Sequence, residues 1–323
     1  MKTKNFFLAQ IAIIVVLLII ILPTISLAQP QWQQVAKRTQ AQKTAGLAGG
    51  EGWQRVTSAS YAPSNANIVY SCLDTDGAWK STDGGTSWIK KTGGFPAIGG
   101  LSLAVDPTNA NIVYVAGSSF LSDNGATVEG VIRTADGGNT WTLVKACHFH
   151  AAYTYGGHHI AFGTNTTNIY AAPSTGGILK STNGTTWNLL LTSGGASILS
   201  TLNLYSIQAH PTDNTILFVS ATNGLYKIVD NGASATVTQV GAGLPAGSVY
   251  QVQIIPSTPN TMYIAAGANG VYRSTDGGLN FSARNNGLSS VISAGGQAKY
   301  IAMSPANSNR LFVTFENTGT GLF

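Results

Sequence analysis

The sequence predicts an all-β protein, a β-propeller of four-stranded antiparallel blades, and three observations lead to this prediction. A short motif with an acid or amide at its centre recurs at Asp83, Asp136, Asn183, Asp230 and Asp276, about every 47 residues. Each repeat contains short apolar segments of strand length, separated by turns rich in Gly, Pro and Asn. Four such segments per repeat of this length are typical of a propeller blade. We therefore expect five full blades and a partial sixth.

The N-terminal segment predicts an export signal. Lys2 and Lys4 precede an apolar run over residues 11–22, and small residues follow up to Ala28, which is the three-part pattern of a secretory signal peptide. The run is shorter than the ~20 apolar residues that span a bilayer. We expect residues 1–28 to be removed, leaving no membrane association and a protein that is secreted, periplasmic or on the cell surface after export of the bacterial type.

Both ends of the remaining chain leave alternatives open. Residues 29–52 form a linker or a strand that closes the propeller, and residues 53–323 form the propeller itself. The last repeat stops before its motif, so the sixth blade lacks the motif and its fourth strand. Residues 30–36 and 52–58 each resemble the fourth strand of a repeat, and one of them would complete that blade. The alternative is a chain that is incomplete at its C-terminus.

Composition limits the kinds of partner. The chain has 17 basic and 12 acidic residues, and only 9% of its residues are charged, so it lacks the clustered positive charge of a nucleic-acid-binding protein. Abundant Ser, Thr, Asn and Gly favour a neutral polysaccharide or cell-surface glycan, or a protein, as the partner. The only cysteines, Cys72 and Cys147, are exported to an oxidising compartment, and the sequence leaves open whether they pair.

The recurring motif is expected to shape turns. In STDGG, Gly84 and Gly85 supply the positive φ angles that a tight turn between the third and fourth strands requires. The Asp83 carboxylate can accept backbone N–H groups of the same turn, and Trp88 can cover the hairpin with its ring. We therefore assign a structural role to the central residue of the four clearest copies, Asp83, Asp136, Asn183 and Asp276.

The motif STDGGTSW resembles the Asp-box, or bacterial neuraminidase repeat, and the similarity extends over nearly all of the expected propeller. This resemblance implies the fold but no single function, because sialidases, xyloglucan hydrolases, sortilin-like receptors and photosystem assembly factors share the repeat. Sialidases also carry an arginine triad opened by an F/Y-R-I-P motif. That motif is absent from the sequence, which argues against a sialidase.

Strand direction divides the propeller into two faces. Strands alternate in direction within a blade, so the turns between strands one and two and between strands three and four share one face. The turns between strands two and three share the other face with the links between blades. All recurring motifs then lie on the first face, whereas Asp74, Asp76 and Glu316 lie on the second. We expect function on the second face, because irregular loops on a rigid scaffold carry most sites.

One segment on the second face points to glycoside hydrolysis. NIVYSCLDTDGAWKS resembles the first blade of the twin-propeller xyloglucan hydrolases, which implies a catalytic role for Asp74, although Asp76 replaces a glycine of the family. A glycosidase needs a second carboxylate, which in that family comes from a second propeller. Glu316 occupies in the sixth repeat the position of Asp74 in the first. We expect the partner to be Glu316 or, if the chain is incomplete, an acid beyond residue 323.

Further polar and aromatic residues are expected near these acids. We assign substrate binding to Asp76, Trp79, Tyr153, Tyr155, His158 and His159. The aromatic rings would stack on sugars, and the alternative is that they fill the central channel. The histidine-rich segment 148–159 raises the question of a metal, but a zinc site needs a defined ligand set that this spacing does not impose. We therefore predict neither a metal nor another cofactor.

These observations predict a secreted carbohydrate-active propeller that resembles hydrolases of xyloglucan and other β-glucans. They leave open whether the protein is an enzyme; if it is, a glycoside hydrolase is expected. The alternative is a non-enzymatic propeller that binds a protein or a cell-surface glycan as an interaction or assembly module. The substrate and the oligomeric state are not determined by the sequence.

Overall fold

A computed structural model describes residues 56–118, 128–149, 157–304 and 307–316. The predicted signal peptide and linker lie outside these ranges. The described chain consists almost entirely of antiparallel β-strands, with one short helix, α1 (Ser289–Ser293). None of the described helices has the length and apolar character needed to cross a membrane.

Five blades contain four strands each, paired in chain order, and a sixth sheet contains two. Their bounds are β1 (Val56–Ala62), β2 (Asn65–Leu73), β3 (Ala78–Ser81) and β4 (Ile89–Lys90) in blade 1; β5 (Gly99–Val105), β6 (Val113–Ser118), β7 (Gly130–Thr134) and β8 (Thr142–Ala146) in blade 2; β9 (Ile160–Phe162), β10 (Ile169–Ala171), β11 (Leu179–Ser181) and β12 (Asn188–Leu189) in blade 3; β13 (Leu204–Ala209), β14 (Ile216–Ala221), β15 (Gly224–Asp230) and β16 (Ala235–Val240) in blade 4; β17 (Gln251–Ile254), β18 (Met262–Ala265), β19 (Val271–Ser274) and β20 (Ser282–Ala283) in blade 5; and β21 (Gln297–Ser304) and β22 (Asn307–Glu316) in blade 6. The predicted architecture of five full blades and a partial sixth is confirmed.

The apolar core lies between the blades. Five clusters of buried side chains are present among the described residues, and each joins two successive blades. Strand β6 is buried at every residue, whereas the outer strands β4, β12 and β20 are exposed. Inner strands are covered on both sides by neighbouring blades, and this explains their nearly continuous apolar sequences.

The recurring motif forms the turn between the third and fourth strands, which we call the repeat turn. In blade 1 the Ser81 hydroxyl donates to Asp83 Oδ1 (2.7 Å), and Ser87 donates its N–H to Oδ1 (2.8 Å) and its hydroxyl to Oδ2 (2.6 Å). Gly84 and Gly85 have φ angles of 71° and 97°, which only glycine adopts at little cost. The carboxylate is therefore fully engaged within its own turn.

Equivalent hydrogen bonds surround Asp136, Asn183 and Asp276. The bonds donated by Ser87 hold the pKa of Asp83 at about 2, and those from Asn280 hold the pKa of Asp276 at about 2. A carboxyl group whose pKa is lower in the folded than in the unfolded state stabilises the fold when the pH is above the unfolded-state pKa. This stabilisation is lost as the pH falls through the folded-state pKa. We therefore expect these turns to weaken between about pH 4 and pH 2.

The repeat turns and the Asp74 turn lie at opposite ends of the blades. The Gly84 N–H donates to the Asn67 carbonyl (2.9 Å), so the repeat turn packs on the turn between β1 and β2. Asp74 follows β2 and therefore lies at the other end of β3. We call the first end the repeat-turn face. The second end, which holds the turns between second and third strands and the links between blades, is the link face.

Tyrosines and basic residues fasten successive blades together. Tyr114 pairs with Arg133 across β6 and β7, and Arg133 Nε donates to the Tyr114 hydroxyl (3.1 Å). The repeat turn of blade 3 packs on this pair so closely that a Cβ on Gly184 would lie 1.9 Å from the Tyr114 hydroxyl oxygen. Glycine at this position therefore serves both the turn geometry and the contact between blades.

The fourth repeat turn contains an ion pair between blades. Asp230 Oδ2 accepts from the Tyr170 hydroxyl (2.6 Å) and lies 2.6 Å from Lys180 Nζ, and both partners belong to blade 3. Burial and the neighbouring Asp230 carboxylate raise the pKa of Tyr170. Unlike Asp83, which bonds only within its turn, Asp230 joins blade 4 to blade 3.

Candidate functional site

Asp74 is the most deeply buried acid on the described part of the link face. It is 2% exposed, and its side chain makes one hydrogen bond among the described residues, from Thr75 Oγ1 at 3.4 Å. The link from blade 1 to blade 2 passes directly over it, because a Cβ on Gly99 would lie 1.8 Å from the Asp74 carbonyl oxygen. Buried carboxylates are ordinarily bonded several times, so this weakly bonded acid contrasts with the acids of the repeat turns.

Asp76 and Trp79 stabilise the turn that carries Asp74. The Trp79 indole N–H donates to Asp76 Oδ2 (3.0 Å), and the Lys90 ammonium pairs with Asp76 Oδ1. Trp79 is only 4% exposed. These contacts fix the turn between β2 and β3 against β4. The substrate-binding role of Asp76 and Trp79 stays a prediction.

Glu316 is part of a row of side chains that connects three blades. Its carboxylate lies 3.8 Å from Lys299 Nζ. The same ammonium lies 3.5 Å from the centre of the Tyr250 ring, and this ring stacks on Tyr205 at 5.0 Å with an interplanar angle of 27°. Lys299 is only 3% exposed, so the ion pair and the cation–π contact compensate for a desolvated charge.

Irregular pairing in the inner strands directs several of these side chains. The register of the first strand shifts at Thr57, Leu101, Tyr205 and Lys299. A β-bulge leaves one residue unpaired and turns its side chain, and bulges are frequent beside functional sites. The same position near the link face is thus distorted in four blades.

A cavity of about 190 Å³ lies among the inner strands. Its walls come from blades 1, 5 and 6 and from the link that precedes β9, and they include Ser58, His158, Gln251, Tyr300, Phe312 and Thr314. The Gln251 amide is satisfied by the Ile301 backbone, at 3.0 Å for its donor and 3.1 Å for its acceptor.

The predicted pair His158 and His159 divides between two environments. His158 is exposed at the cavity wall. The strands around the cavity displace bulk water, and this desolvation lowers the pKa of His158 below 6.5. His159 is 1% exposed, and its Nδ1 lies 3.2 Å from the Ala172 carbonyl oxygen. Only His158 therefore faces a space that a ligand can enter.

The described residues contain no group of three or more His, Cys, Asp and Glu side chains that could hold a metal ion. His148 pairs instead with Glu129, and Tyr153 and Tyr155 lie outside the described residues. Neither Cys72 nor Cys147 forms a disulfide bond among the described residues. Burial raises the pKa of Cys147 to about 12, so this thiol is not reactive at neutral pH.

Sequence reasoning missed Lys299, Tyr205 and Tyr250. Each of them lies six residues before a proline in its repeat, at Pro305, Pro211 and Pro256 respectively. This common position was the available signal. The stacking of the three side chains depends on how neighbouring blades pack, which the repeat pattern does not specify.

Comparisons with known proteins support the fold. No protein-family model matches the chain, and no curated protein matches it in a sequence search. Among solved structures, the chain is similar to a GH74 enzyme of Niastella koreensis (21% identity, TM-score 0.63, covering 83% of this chain and 42% of that one). An ancestral GH74 enzyme is similar at 20% identity and a TM-score of 0.64, covering 91% of this chain and 37% of that one.

The structure of YCF48 bound to D1 peptide is also similar, at 17% identity and a TM-score of 0.54, covering 83% of this chain and 76% of that one. At these identities the likeness concerns the propeller fold. The chain spans about two fifths of the length of the two GH74 enzymes.

Proposed function

We propose that this protein is an exported, carbohydrate-active propeller that binds a neutral β-glucan such as xyloglucan on its link face and hydrolyses it with Asp74. The observation that carries the proposal is the environment of Asp74, a carboxylate that is 2% exposed and has a single hydrogen bond, of 3.4 Å, among the described residues. A buried acid with so few partners is costly for the fold and is therefore a candidate for chemistry. The resemblance of its segment to xyloglucan hydrolases agrees with this role.

Hydrolysis requires a second carboxyl group about 5 to 10 Å from the first. We assign this role to Glu316, which ends the second strand of its blade, whereas Asp74 directly follows the second strand of blade 1. The ion pair of Glu316 with Lys299 requires the ionised carboxylate, which is the form that a base or a nucleophile uses. Asp74 then acts as the general acid or base across the glycosidic bond.

The small number of charges favours a neutral substrate. Only 9% of the residues are charged, and among the described residues no Asp, Glu, Lys or Arg lines the cavity. Hydroxyl and amide groups together with aromatic rings suit the hydroxyls and the apolar ring faces of a neutral sugar.

The test is an assay of the exported protein on xyloglucan, mixed-linkage β-glucan and, as a control, amylose. We expect new reducing ends from one or both β-glucans and none from amylose. The absence of reducing ends from both β-glucans would contradict the hydrolase proposal.

The second candidate is a non-enzymatic module that binds a protein or a cell-surface glycan. The similarity to YCF48 bound to D1 peptide favours it, because that similarity covers 76% of the other chain and so concerns a propeller of comparable size. Calorimetric titration with intact xyloglucan distinguishes the two candidates. Binding without the release of reducing ends supports the second and contradicts the first.

A further inference from the structure

The cavity contains two polar side chains without hydrogen bonds among the described residues. Among the described residues, Thr314 Oγ1 is buried without a hydrogen-bond partner, and none of them forms a hydrogen bond with the side chain of His158, which lines the same cavity. Leaving a buried hydroxyl without a partner costs about 1 to 3 kcal/mol. The other polar side chains differ, since Thr57 donates to the Cys72 carbonyl (3.0 Å) and the Gln251 amide is satisfied.

The remaining wall is apolar. Phe312 and Thr314 are two residues apart on β22, so their side chains lie on one side of the strand, and both line the cavity with Ala59, Ile301 and Ala302. Phe312 is 38% exposed. A flat aromatic ring beside a hydroxyl and an imidazole is suited to a molecule with one apolar face and polar edges.

The volume limits what can enter. The cavity measures about 190 Å³, and dry protein cavities of ~150 Å³ accept a six-membered ring. One sugar ring therefore fits, and the rest of a longer chain would extend outside. An anionic sugar would be disfavoured, because no cationic side chain among the described residues lines the wall and desolvation lowers the pKa of His158.

We propose that this cavity is a binding site for one neutral pyranose ring at the end of a glycan, held by hydrogen bonds from His158 and Thr314 and by contact with Phe312. The inference rests on the proposed function for the identity of the ligand as a glycan, but it does not require hydrolysis. It adds a second contact region, among the inner strands, to the one beside Asp74.

The test is binding of glucose, cellobiose and glucuronic acid to the full chain, measured by saturation-transfer NMR and calorimetry. Thr314→Val keeps the shape of the side chain and removes the hydroxyl, and we expect it to weaken binding of glucose about 3- to 10-fold. Ala302→Phe fills the cavity and should abolish binding. Thr238→Val, on the exposed outer strand β16, is the matched control and should leave binding unchanged.

Thermal unfolding of each variant verifies that it folds. Glucose binding that is unchanged in both Thr314→Val and Ala302→Phe would overturn the inference, as would equal affinity for glucose and glucuronic acid. If the parent protein binds glucose in this way but releases no reducing ends from β-glucans, the cavity site stands and the hydrolase proposal fails. If the parent hydrolyses β-glucan but Ala302→Phe binds as well as the parent, the hydrolase proposal stands and the cavity site fails.

Discussion

Replacing Asp74 with asparagine is expected to lower the rate of β-glucan hydrolysis by about 10²- to 10⁴-fold, the usual contribution of a general acid or base. Asparagine has the same shape and can still accept the hydrogen bond that Thr75 donates at 3.4 Å. It cannot transfer a proton, so the loss would be in kcat. The measurement is the release of reducing ends at saturating substrate, with the thermal midpoint as a check on folding.

Asp276→Asn is the matched control for this variant. Asp276 lies in the repeat turn of blade 5, where its carboxylate is bonded to Asn280 and Ser274. Its conversion to an amide should leave the rate within about 2-fold of the parent, because exposed positions far from a site seldom affect chemistry. Equal rates for the parent and Asp74→Asn would remove Asp74 from the mechanism.

The second large effect concerns stability. Lys180→Met should lower the free energy of unfolding by about 3 to 5 kcal/mol, because it leaves a buried carboxylate without its cation. The side chains of Lys180 and Asp230 are only 16% and 2% exposed, and solvent screens their interaction little. Urea unfolding at pH 7 measures the difference.

Lys227→Met provides the comparison for Lys180→Met. Lys227 occupies the same position in the third strand of blade 4, where it lies across from Phe218, and it makes no ion pair within 4.0 Å among the described residues. We expect Lys227→Met to lower the free energy of unfolding by about 1 kcal/mol or less. The double variant Lys180→Met with Asp230→Leu should recover most of the loss, since an apolar pair can replace a buried ion pair. Equal costs for the two single variants would show that the ion pair between blades contributes little.

The fold could be predicted from the sequence because each blade carries its own local signals. Gly84, Gly85 and Asp83 are required at fixed positions by one turn, and the turn recurs at the length of a blade. The assignment of faces followed from strand direction alone, and Asp74 and Asp83 do lie at opposite ends of β3. The turn sequence and the alternation of strand direction were therefore sufficient to predict the fold and the two faces.

The candidate site was less accessible to sequence reasoning because it depends on contacts between blades. Lys299 Nζ lies over the ring of Tyr250, 49 residues earlier in the chain, and that ring stacks on Tyr205, a further 45 residues earlier. Lys299 and Tyr205 lie at β-bulges, where one extra residue changes the direction of a side chain. Neither long-range pairing nor a bulge leaves a clear trace in a single repeat.

Neighbouring residues also diverged in ways that the sequence did not indicate. His158 lines the cavity whereas His159 is buried against the Ala172 carbonyl, because successive side chains of an extended chain point in opposite directions. Trp79, the aromatic residue nearest to Asp74 in the third strand, is used by Asp76 as a hydrogen-bond donor. The residue types alone did not indicate which of these side chains line the cavity and which are buried in contacts within the fold.

The central claim is that acids of the repeat turns hold the fold while acids of the link face act on a ligand. The most direct test measures hydrolysis and urea unfolding side by side for Asp74→Asn and Asp83→Asn. Because asparagine already occupies this position as Asn183 and accepts the Thr186 N–H (2.8 Å), Asp83→Asn should fold. We expect Asp83→Asn to hydrolyse at the parental rate and to be less stable than the parent at pH 7. This difference in stability should shrink as the pH falls from about 4 to about 2, because the parental Asp83 becomes protonated in that range. A loss of rate in Asp83→Asn equal to that in Asp74→Asn, with unchanged stability, would contradict the claim.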